Sequence, residues 1–369
     1  RDWSVTGVQT CALPILWRVN WGILAVVALL AAIGTATLYS VAGGSFEPWA
    51  ERHALRFLLG VAAVLVMAAV PLSLWMRLAY PAYAVALLLL ALVPMIGVEA
   101  LGARRWLALG GVSLQPSELM KVAIVAALAR YYHWLPAARI SRPVWVLLPL
   151  AMIALPVGLT LRQPDLGTAA LFASVGLATM MLAGVSWLWG AAGLAGAALA
   201  APFAWDSLHD YQRRRIEVFL DPSKDPLGAG YHITQSKIAL GSGGVSGRGF
   251  LAGPQSQLDF VPEKHTDFIF AILAEEWGFV GGITLVALYL VLIVMVLAMA
   301  ASCRSTFGRL LVGGLAVTLF VYVVVNVGMV TGLLPVVGVP LPLVSYGGTA
   351  MATIMAGLGL AISAHVHAS

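Results

Sequence analysis

The stretch FIFAILAEEWGFVGGITLVALYLVLIVMVLAM, residues 268–299, decides the fold class of this chain. Its only charged side chains are Glu275 and Glu276. It is longer than the roughly 20 residues that a helix needs to cross a hydrocarbon core of about 30 Å. A run of this length and composition predicts a membrane-spanning helix and not a helix in the core of a soluble domain.

The rest of the chain has the same character. Hydrophobic residues make up 61% and charged residues 10% of its 369 residues, whereas soluble domains are about 25% charged. A soluble fold would therefore lack the polar residues that cover a surface. The formal net charge of +5 is small for this length and gives no reason to expect nucleic acid as a partner. Cys11 and Cys303 are too far apart in sequence to indicate a disulfide framework or a metal site.

The apolar runs predict an all-α integral membrane protein with about ten transmembrane helices. An even number of spans places both termini on one side of the membrane. The Lys and Arg residues of the short loops, seven on one side against five on the other, identify that side as cytoplasmic. The predicted spans are residues 17–41, 54–72, 77–97, 117–134, 144–162, 166–184, 187–204, 268–299, 309–331 and 344–364.

Two segments differ from these spans. Residues 1–15 have neither helical periodicity nor the order of a signal peptide, so we expect a non-native N-terminal segment followed by one membrane domain over residues 16–369. Residues 205–265 lie between the seventh and eighth spans and contain 14 charged residues. In the predicted orientation they form a long extracytoplasmic loop.

The long loop contains two predicted helices and a glycine cluster. The segment DYQRRRIEVFLDP, residues 210–222, has apolar residues at helical spacing and predicts an amphipathic helix at the membrane surface, ended by its Asp-Pro pair. A second short helix is predicted over residues 231–240. The glycine cluster, residues 241–249, matches no phosphate-binding pattern, and we interpret it as a flexible loop.

Charged side chains within membrane helices are costly and are candidates for function. Asp267 lies where the long loop enters the eighth span, so it either caps that helix or, with a pKa raised by partial burial, acts as a general base. Glu275 and Glu276 lie about two turns deeper and need a cavity or a buried ion pair. Glu263 and His265 are predicted to orient the loop and bind substrate, not to react.

A second group of candidates lies in GARRWLALGGVSLQPSELMK, which leads into the fourth span. Glu118 and Lys121 are spaced i, i+3 on one helix face, which fits a mutual ion pair or a polar site. Arg104, Arg105 and Trp106 are predicted on the loop before that helix. Their side chains suit anchoring at the membrane interface, or binding of a phosphate and a sugar.

Two further segments interrupt the apolar pattern. Asp165 lies in LRQPDLGT, between the fifth and sixth spans, as a turn residue or as part of a site. The segment PLPLVSYGGTA, residues 340–350, breaks regular helix, and irregular backbone at that depth lines a cavity or packs against helices. No GxxxxGK[ST] or GxGxxG motif and no zinc-type spacing occurs in the sequence, so no nucleotide-driven pump or zinc site is indicated.

Several of these segments are similar to those of one known family. ARRWL, QPSE, QPDLGT, DPLGAGYHITQSKIALGSGG, PEKHTDFIFAILAEEWG and LPVVGVPLPLVSYGG resemble the SEDS proteins (shape, elongation, division and sporulation). The resemblance covers essentially the whole chain from residue 16. Within the family, DPLGAGYHITQSKIALGSGG and GPQSQLDFVPEKHTDF are more similar to the rod-shape elongation members than to the division members.

The resemblance implies a peptidoglycan glycosyltransferase of the bacterial cytoplasmic membrane. Such enzymes polymerise lipid II into glycan strands at the outer face of that membrane, beside a class B penicillin-binding protein that crosslinks the strands. Lipid II, the nascent glycan and membrane lipids are the other implied partners. The essential aspartate of the family falls on Asp267. The polar residues implicated beside it fall on Arg104, Arg105, Trp106, Glu118, Lys121 and Asp165.

The chemistry that the resemblance implies needs one base and a cationic site. An α-linked lipid pyrophosphate donor and a β-1,4 product require inversion, and a single displacement uses one base, for which we predict Asp267. The leaving pyrophosphate needs positive charge. The sequence leaves open whether a divalent cation (Mg²⁺ or Mn²⁺) takes part and which side chains contribute among Arg104, Arg105, Lys121, Arg162 and Arg213 to Arg215.

Three other functions fit parts of the sequence. Intramembrane charges and broken helices also suit a flippase for lipid II. A scaffold for the transpeptidase and a division paralogue with the same chemistry are the other two. Polymer formation from lipid II in the outer leaflet would separate the enzyme from the flippase.

Overall fold

A computed structural model of the chain describes residues 17–367, except for 101–102, 110–111, 194, 197–198, 200–209, 222–223, 226–227 and 262. The predicted non-native segment and the end of the predicted seventh span lie outside the described residues. The start of the long loop also lies outside them.

The first half of the chain is helical apart from one small sheet. Its helices are α1 (Trp21–Val41), α2 (Ala50–Ala69), α3 (Leu72–Ile96), α4 (Pro116–Trp134), α5 (Pro143–Leu161) and α6 (Leu166–Leu182). A short 3₁₀ turn, Ala137–Arg139, connects α4 to α5. The next helix, α7, begins at residue 187, and residues 187–193, 195–196 and 199 are helical.

The second half contains three shorter helices and then three long ones. They are α8 (Asp210–Leu220), α9 (Ala229–Gly243), α10 (Pro254–Gln257), α11 (Ile269–Ser302), α12 (Thr306–Thr331) and α13 (Gly348–Val366). Both helices predicted in the long loop are confirmed as α8 and α9. Residues 332–347, here called the α12–α13 connection, are irregular, as the prolines and glycines of that segment predict.

Among the described residues, seven helices are long and apolar enough to cross a membrane: α1, α2, α3, α5, α11, α12 and α13. The predicted class of all-α membrane protein is confirmed. Of the remaining predicted spans, α6 is apolar but only 17 residues long. Helix α4 carries Glu118, Lys121 and Arg130 within 19 residues. Its charges need partners inside the bundle, because lipid offers none.

Several helices begin at a proline or at a residue whose side chain caps the first turn. Pro116 and Pro143 lie in the first turns of α4 and α5, where a missing N–H leaves no helical bond unmade. The side chains of Asn20, Asp165 and Ser305 accept backbone N–H groups at the starts of α1, α6 and α12. Asp165 therefore has a structural role as a helix cap.

Helices α4 and α12 lie at the centre of the bundle. Helix α12 packs against α4, α6, α11 and α13, and α13 packs along α2. Most side chains of α4 are buried, including its polar Ser117, Glu118 and Lys121. Helix α11, by contrast, exposes large apolar side chains such as Phe279 and Leu290. The polar residues of α4 thus face protein, while α11 presents an apolar surface suited to lipid.

The connection between α3 and α4 differs from the prediction. It forms a three-stranded antiparallel sheet of β1 (Val98–Ala100), β2 (Ala103–Leu109) and β3 (Val112–Leu114). Arg104, Arg105 and Trp106 lie on β2 and not on a loop, which corrects the sequence analysis. Strand pairing satisfies the backbone N–H and C=O groups of this short segment, and neighbouring residues of a strand point to opposite faces.

Helix α11 is broken at Gly278 (φ +68°, ψ −165°), which the sequence analysis did not predict. The glycine cluster packs onto this break, and four backbone hydrogen bonds of 2.9–3.1 Å join residues 244–249 to residues 275–280. A Cβ built on Gly247 would lie 2.0 Å from the carbonyl oxygen of Glu276. The interpretation of this cluster as a flexible loop is therefore wrong, since its glycines allow two backbones to touch.

Candidate active site

Asp267 lies between the long loop and α11. The N-cap of α11 is Phe268, so Asp267 is one residue outside the capping position. Its side chain is half-buried. A Cβ built on Gly338 would lie 3.4 Å from Asp267 Oδ2. The carboxylate therefore rests against the α12–α13 connection, at the point where the polypeptide enters a membrane helix.

Asn326 of α12 holds the backbone at this point. It is fully buried, and its Nδ2 donates to the carbonyl oxygens of Asp267 (2.9 Å) and Val339 (2.7 Å). One side chain thus connects the end of the long loop to the α12–α13 connection. Asn326 was not predicted, although an amide within the apolar run VYVVVNVG is a recognisable signal because polar groups in a membrane helix need partners.

The residues before Asp267 form a compact turn. Glu263 adopts a left-handed backbone (φ +51°), and Thr266 Oγ1 donates to its Oε2 at 3.0 Å. The ring of His265 stacks on Trp49 with 4.7 Å between centroids, and its carbonyl oxygen accepts the N–H of Tyr346 at 2.9 Å. The contacts of Glu263 and His265 hold the turn in place, while their contact with substrate stays a prediction.

Two histidines near Asp267 have lowered pKa values. Burial lowers the pKa of His265, and the nearby Glu263 carboxylate opposes this change. Burial also lowers the pKa of His232, whose ring stacks on Phe268 at 5.9 Å, and Glu263 again opposes the change. Because the ordinary pKa of histidine is about 6.5, both rings are uncharged at pH 7 and above. They can donate or accept hydrogen bonds there without adding positive charge.

Glu118 and Lys121 form a buried ion pair. Lys121 Nζ lies 2.7 Å from Glu118 Oε1, and each residue is 3% exposed. Tyr322 of α12 contacts both members of the pair. Its hydroxyl donates to Glu118 Oε2 at 2.8 Å, and Lys121 Nζ donates to that hydroxyl. The predicted mutual ion pair is confirmed. Tyr322, which completes it, was not predicted.

The two neighbouring arginines of β2 have different surroundings. Arg105 donates through a terminal nitrogen to the carbonyl oxygen of Pro164 at 2.7 Å, and its Nε lies 3.7 Å from Asp165 Oδ2. Arg104 faces away and pairs with Glu99 at 3.8 Å, with both side chains more than half exposed. The alternation of a strand explains the difference. Trp106, the third candidate of β2, is half-buried.

Backbone packing brings Asp165, at the start of α6, and Asp267 to the same end of the bundle. Gly167, just after Asp165, packs on the α12–α13 connection so closely that a Cβ there would lie 2.6 Å from Val337 O. The next residue of the connection is Gly338, which contacts Asp267. The connection therefore touches the start of α6 on one side and the proposed base on the other.

Glu275 and Glu276 are hydrogen-bonded, and neither forms an ion pair with a Lys, Arg or His side chain among the described residues. Glu275 accepts the backbone N–H groups of Gln255 (2.9 Å) and Ser256 (3.3 Å) at the start of α10. Glu276 accepts a hydrogen bond from the hydroxyl of Ser40 in α1. Both carboxylates thus attach the end of the long loop and α1 to α11, and the alternative of a buried ion pair is wrong.

An apolar cavity of about 670 Å³ opens beside Glu118. Side chains from α3, α4 and α13 form most of its wall. Leu114 and Glu118 line one end, and Trp75 and Phe307 line the other. Because Trp75 and Glu118 lie at the starts of successive antiparallel helices, the cavity extends along the helix axes. Its shape and lining suit an apolar chain.

The remaining cation candidates are dispersed. Arg214 pairs with Asp225 at 3.0 Å, and Arg162 is exposed at the end of α5. The side chain of Arg215 lies outside the described part of the chain. Within that part, no group of three or more His, Cys, Asp or Glu residues is arranged to hold a metal ion.

Comparison with known proteins identifies the family. The FtsW/RodA/SpoVE model of cell cycle proteins matches residues 12–369. The chain is 48% identical over 318 residues to the peptidoglycan glycosyltransferase MrdB of Escherichia coli (strain K12), a match that covers 86% of this chain and 85% of that protein.

Solved structures agree with this comparison. A chain from a peptidoglycan synthase complex that coordinates polymerization and crosslinking shares 37% identity with a TM-score of 0.82, covering 94% of this chain and 97% of that one. The rod shape determining protein RodA of Thermus thermophilus shares 32% identity with a TM-score of 0.71, covering 94% and 96%. The chain belongs to the SEDS family of multi-pass membrane peptidoglycan glycosyltransferases, and it resembles the rod-shape members.

Proposed function

We propose that the protein polymerises lipid II into β-1,4 glycan strands during cell-wall elongation, with Asp267 as the general base of an inverting displacement. The position of Asp267 carries the proposal: its half-buried carboxylate lies just before α11 and against Gly338, and its backbone is bound by Asn326. A carboxylate at this boundary can meet a substrate whose lipid lies in the membrane and whose sugars lie in water.

In the proposed step, the oxygen of the acceptor's sugar 4-hydroxyl attacks the anomeric carbon of the donor. The bond from that carbon to the pyrophosphate oxygen breaks, and its electron pair leaves with the lipid pyrophosphate. The hydroxyl proton passes to the Asp267 carboxylate. Attack opposite the leaving group converts the α-linked donor into a β linkage. General-base catalysis typically contributes about 10²–10⁴-fold to such a rate.

Arg105 and Lys121 are the proposed cations for the leaving pyrophosphate. Each now contacts a carboxylate, Asp165 at 3.7 Å and Glu118 at 2.7 Å. A pyrophosphate that reaches them would compete with these carboxylates, and charge-assisted hydrogen bonds to its oxygens would stabilise the developing negative charge.

Four further residues are proposed to contact substrate from the water side. Arg104 and Trp106 lie beside Arg105 on β2 and present a cation and an aromatic face to the pyrophosphate and sugars. Glu263 and His265 shape the turn before the base and offer hydrogen-bonding groups to the sugars.

A divalent cation, Mg²⁺ or Mn²⁺, is proposed to arrive with the pyrophosphate. Mg²⁺ is commonly held by one or two carboxylates together with substrate phosphates and water. That mode fits the described residues, which offer separate carboxylates such as Asp165 and no cluster of ligands. The cation would neutralise charge on the leaving group. Polymerisation that is unchanged in excess EDTA would contradict this part of the proposal.

The proposed topology has ten spans, with α4, α6 and α7 added to the seven apolar helices. With both termini in the cytoplasm, Asp267, β2 and the long loop lie at the extracytoplasmic face of the bacterial inner membrane. The apolar cavity beside Glu118 is proposed to receive the lipid chain of lipid II. Labelling of single cysteines introduced in the long loop from outside intact cells would test this orientation.

A class B penicillin-binding protein is the proposed partner. The support is the similarity of this chain to one from a synthase complex that coordinates polymerization and crosslinking. Newly polymerised strands need a crosslinking enzyme close to the site where they emerge. Copurification of the two proteins from membranes would test the association, and their consistent separation in mild detergent would argue against it.

The decisive experiment is Asp267→Asn, a nearly isosteric change that removes the base. We expect the purified variant to make at least 100-fold less polymer from lipid II, because the acceptor hydroxyl keeps its proton. Its thermal stability and partner binding should be unchanged. Asp259→Asn is the matched control, since that carboxylate lies eight residues earlier, has an 81% exposed side chain and pairs with Lys264 at 2.6 Å. Near-normal polymerisation by Asp267→Asn would refute the assignment.

A lipid II flippase is the alternative, favoured by the break of α11 at Gly278 and by the buried charges of α4. Proteoliposomes that carry lipid II only in the outer leaflet separate the two functions. A polymerase makes glycan there without moving substrate across the bilayer, whereas a flippase makes none.

The cell shape after depletion of the protein distinguishes elongation from division. Rounded cells would indicate a role in elongation, and filaments would indicate a role in division.

A further inference from the structure

We infer that Asn326 is a positioning residue for the proposed base, and that through α12 it couples the position of Asp267 to the buried pair of Glu118 and Lys121. The inference rests on the proposed function of Asp267. It concerns a side chain that touches neither substrate nor reacting atoms in the proposed mechanism.

The backbone of Asp267 is held from the side of α12. This residue precedes the N-cap of α11 and therefore lies outside the regular helix. Asn326 Nδ2 donates to its carbonyl oxygen at 2.9 Å from the side of α12, where Asn326 is fully buried. The amide therefore anchors the backbone of the base to a central helix of the bundle.

The surface on which the carboxylate rests is held by the same amide. The other hydrogen of the same Nδ2 goes to Val339 O at 2.7 Å. The preceding residue, Gly338, has φ +72° and lies against Asp267 Oδ2. One amide thus fixes both the backbone that carries the carboxylate and the segment beside it. Loss of the amide would free both segments to move apart.

The same helix connects Asn326 to the buried pair of Glu118 and Lys121. Tyr322 lies four residues before Asn326, on the same face of α12. Its hydroxyl donates to Glu118 and accepts from Lys121. A change at the ion pair that shifts or rotates α12 therefore moves Asn326 as well. The position of the base thus depends on the state of the buried pair through two tertiary contacts of α12: Tyr322 with Glu118, and Asn326 with Asp267.

The test uses Asn326→Leu, which keeps the branched shape of the side chain and removes both N–H donors. We expect kcat for lipid II polymerisation to fall about 10- to 100-fold, since a displacement of about 1 Å costs up to about 10²-fold. The KM for lipid II should stay within about twofold. Thr318→Val is the matched control: this buried residue of the same helix loses only a bond within α12, to Gly314 O at 2.8 Å.

Two comparisons separate positioning from a merely structural role. At a temperature where both variants are folded, Asn326→Leu should lose kcat while Thr318→Val keeps it. Asn326→Leu should also be the less stable variant, because it leaves two buried carbonyl oxygens without their donor. The combined Asn326→Leu and Tyr322→Phe variant should lose less kcat than the product of the single losses, because both act through α12. Unchanged kcat in Asn326→Leu would overturn the inference. Strictly multiplicative losses would overturn the coupling.

A second variant covers the case in which Asn326→Leu does not fold. Gly338→Ala disturbs the same contact from the other side, because alanine disfavours φ +72° and its methyl group would lie 3.4 Å from Asp267 Oδ2. We expect it to lower kcat by about tenfold or more, and wild-type kcat would contradict the inference. Asp267→Asn, assayed in parallel, distinguishes the two failures: an active Asp267→Asn refutes the proposed function, whereas an inactive one beside normal Asn326→Leu refutes only this inference.

Discussion

Lys121 shows at the residue scale how a membrane protein accommodates a buried charge. The ammonium group has lost its water, and Glu118 and Tyr322 replace it with two oxygen partners. Such a pair contributes little net stability, because the cost of desolvation offsets the attraction of the charges. Its presence in the centre of the bundle is therefore better explained by chemistry than by folding.

We predict that Lys121→Met lowers both stability and activity. The change leaves Glu118, 3% exposed, without its cation, and breaking a buried pair in this way costs about 3–5 kcal/mol. The polymerisation rate should fall as well, because the pyrophosphate loses a proposed ligand. Thermal unfolding in detergent and a polymer assay with lipid II measure the two effects.

The double variant Lys121→Met with Glu118→Gln isolates the catalytic part of this effect. It removes both charges, so it should regain most of the lost unfolding temperature while polymerisation stays low. Wild-type activity in the double variant would show that the pair has only a structural role.

At the element scale, the break in α11 depends on two segments that touch through glycine. Gly278 leaves the helical conformation, and the glycine cluster supplies hydrogen-bond partners to the backbone around it. The part of α11 between Asp267 and the break at Gly278 is therefore held in place by the long loop. Any side chain at this contact would separate the two backbones and disturb the entry of α11 into the membrane.

We predict that Gly247→Ala destabilises the protein and lowers its activity. Gly247 has φ +83°, which costs a non-glycine residue about 1–3 kcal/mol, and its new Cβ would meet the carbonyl of Glu276 at 2.0 Å. The unfolding temperature and the resistance of the loop to protease should both fall.

Gly241→Ala serves as the control for this element. Gly241 lies in α9, and a Cβ there would meet nothing within 4 Å. Alanine also favours helix, so stability should stay the same or rise slightly. Equal effects of the two substitutions would contradict the role assigned to the contact at the helix break.

At the scale of the whole molecule, the polarity of the lining side chains falls from one end of the bundle toward the other. Asp267, Arg105 and Lys121 lie toward one end, and the cavity extends from Glu118 toward the opposite end. This arrangement suits an amphiphilic substrate. Its pyrophosphate and sugars would lie among the polar groups, and its lipid chain would lie among the side chains of α3, α4 and α13.

We predict that Ala82→Trp weakens binding of lipid II. Ala82 lines the cavity, so an indole there would displace part of the lipid chain. Exclusion of two methylene groups at about 0.8 kcal/mol each corresponds to roughly a tenfold rise in KM. Steady-state kinetics with full-length lipid II, and with a short-chain analogue that should be less affected, would measure this change.

The control for the cavity is Ala84→Trp. Ala84 is exposed on the same helix, and it is not among the residues that line the cavity. The substitution adds the same side chain to the outer surface, where lipid accommodates it. A similar rise in KM for both variants would show that the cavity does not receive the lipid chain.

The sequence by itself determined the membrane class, the approximate helix boundaries, the two loop helices and the ion pair of Glu118 with Lys121. Each of these depends on residues close together in the chain: an apolar run, a proline, or a spacing of three residues along one helix. The place of Asp267 at the edge of a helix was predictable for the same reason.

Only the tertiary structure decided what surrounds the long loop and the base. The sheet that carries Arg105, the break at Gly278 and the contacts of Tyr322 and Asn326 all depend on segments far apart in sequence. The glycine cluster of the long loop packs on the break in α11, and Asp267 lies against the α12–α13 connection. No local pattern specifies which of these surfaces each segment meets. The physical reason is that hydropathy and helix propensity are properties of neighbouring residues, whereas hydrogen bonds between buried polar groups are satisfied only when the chain has packed.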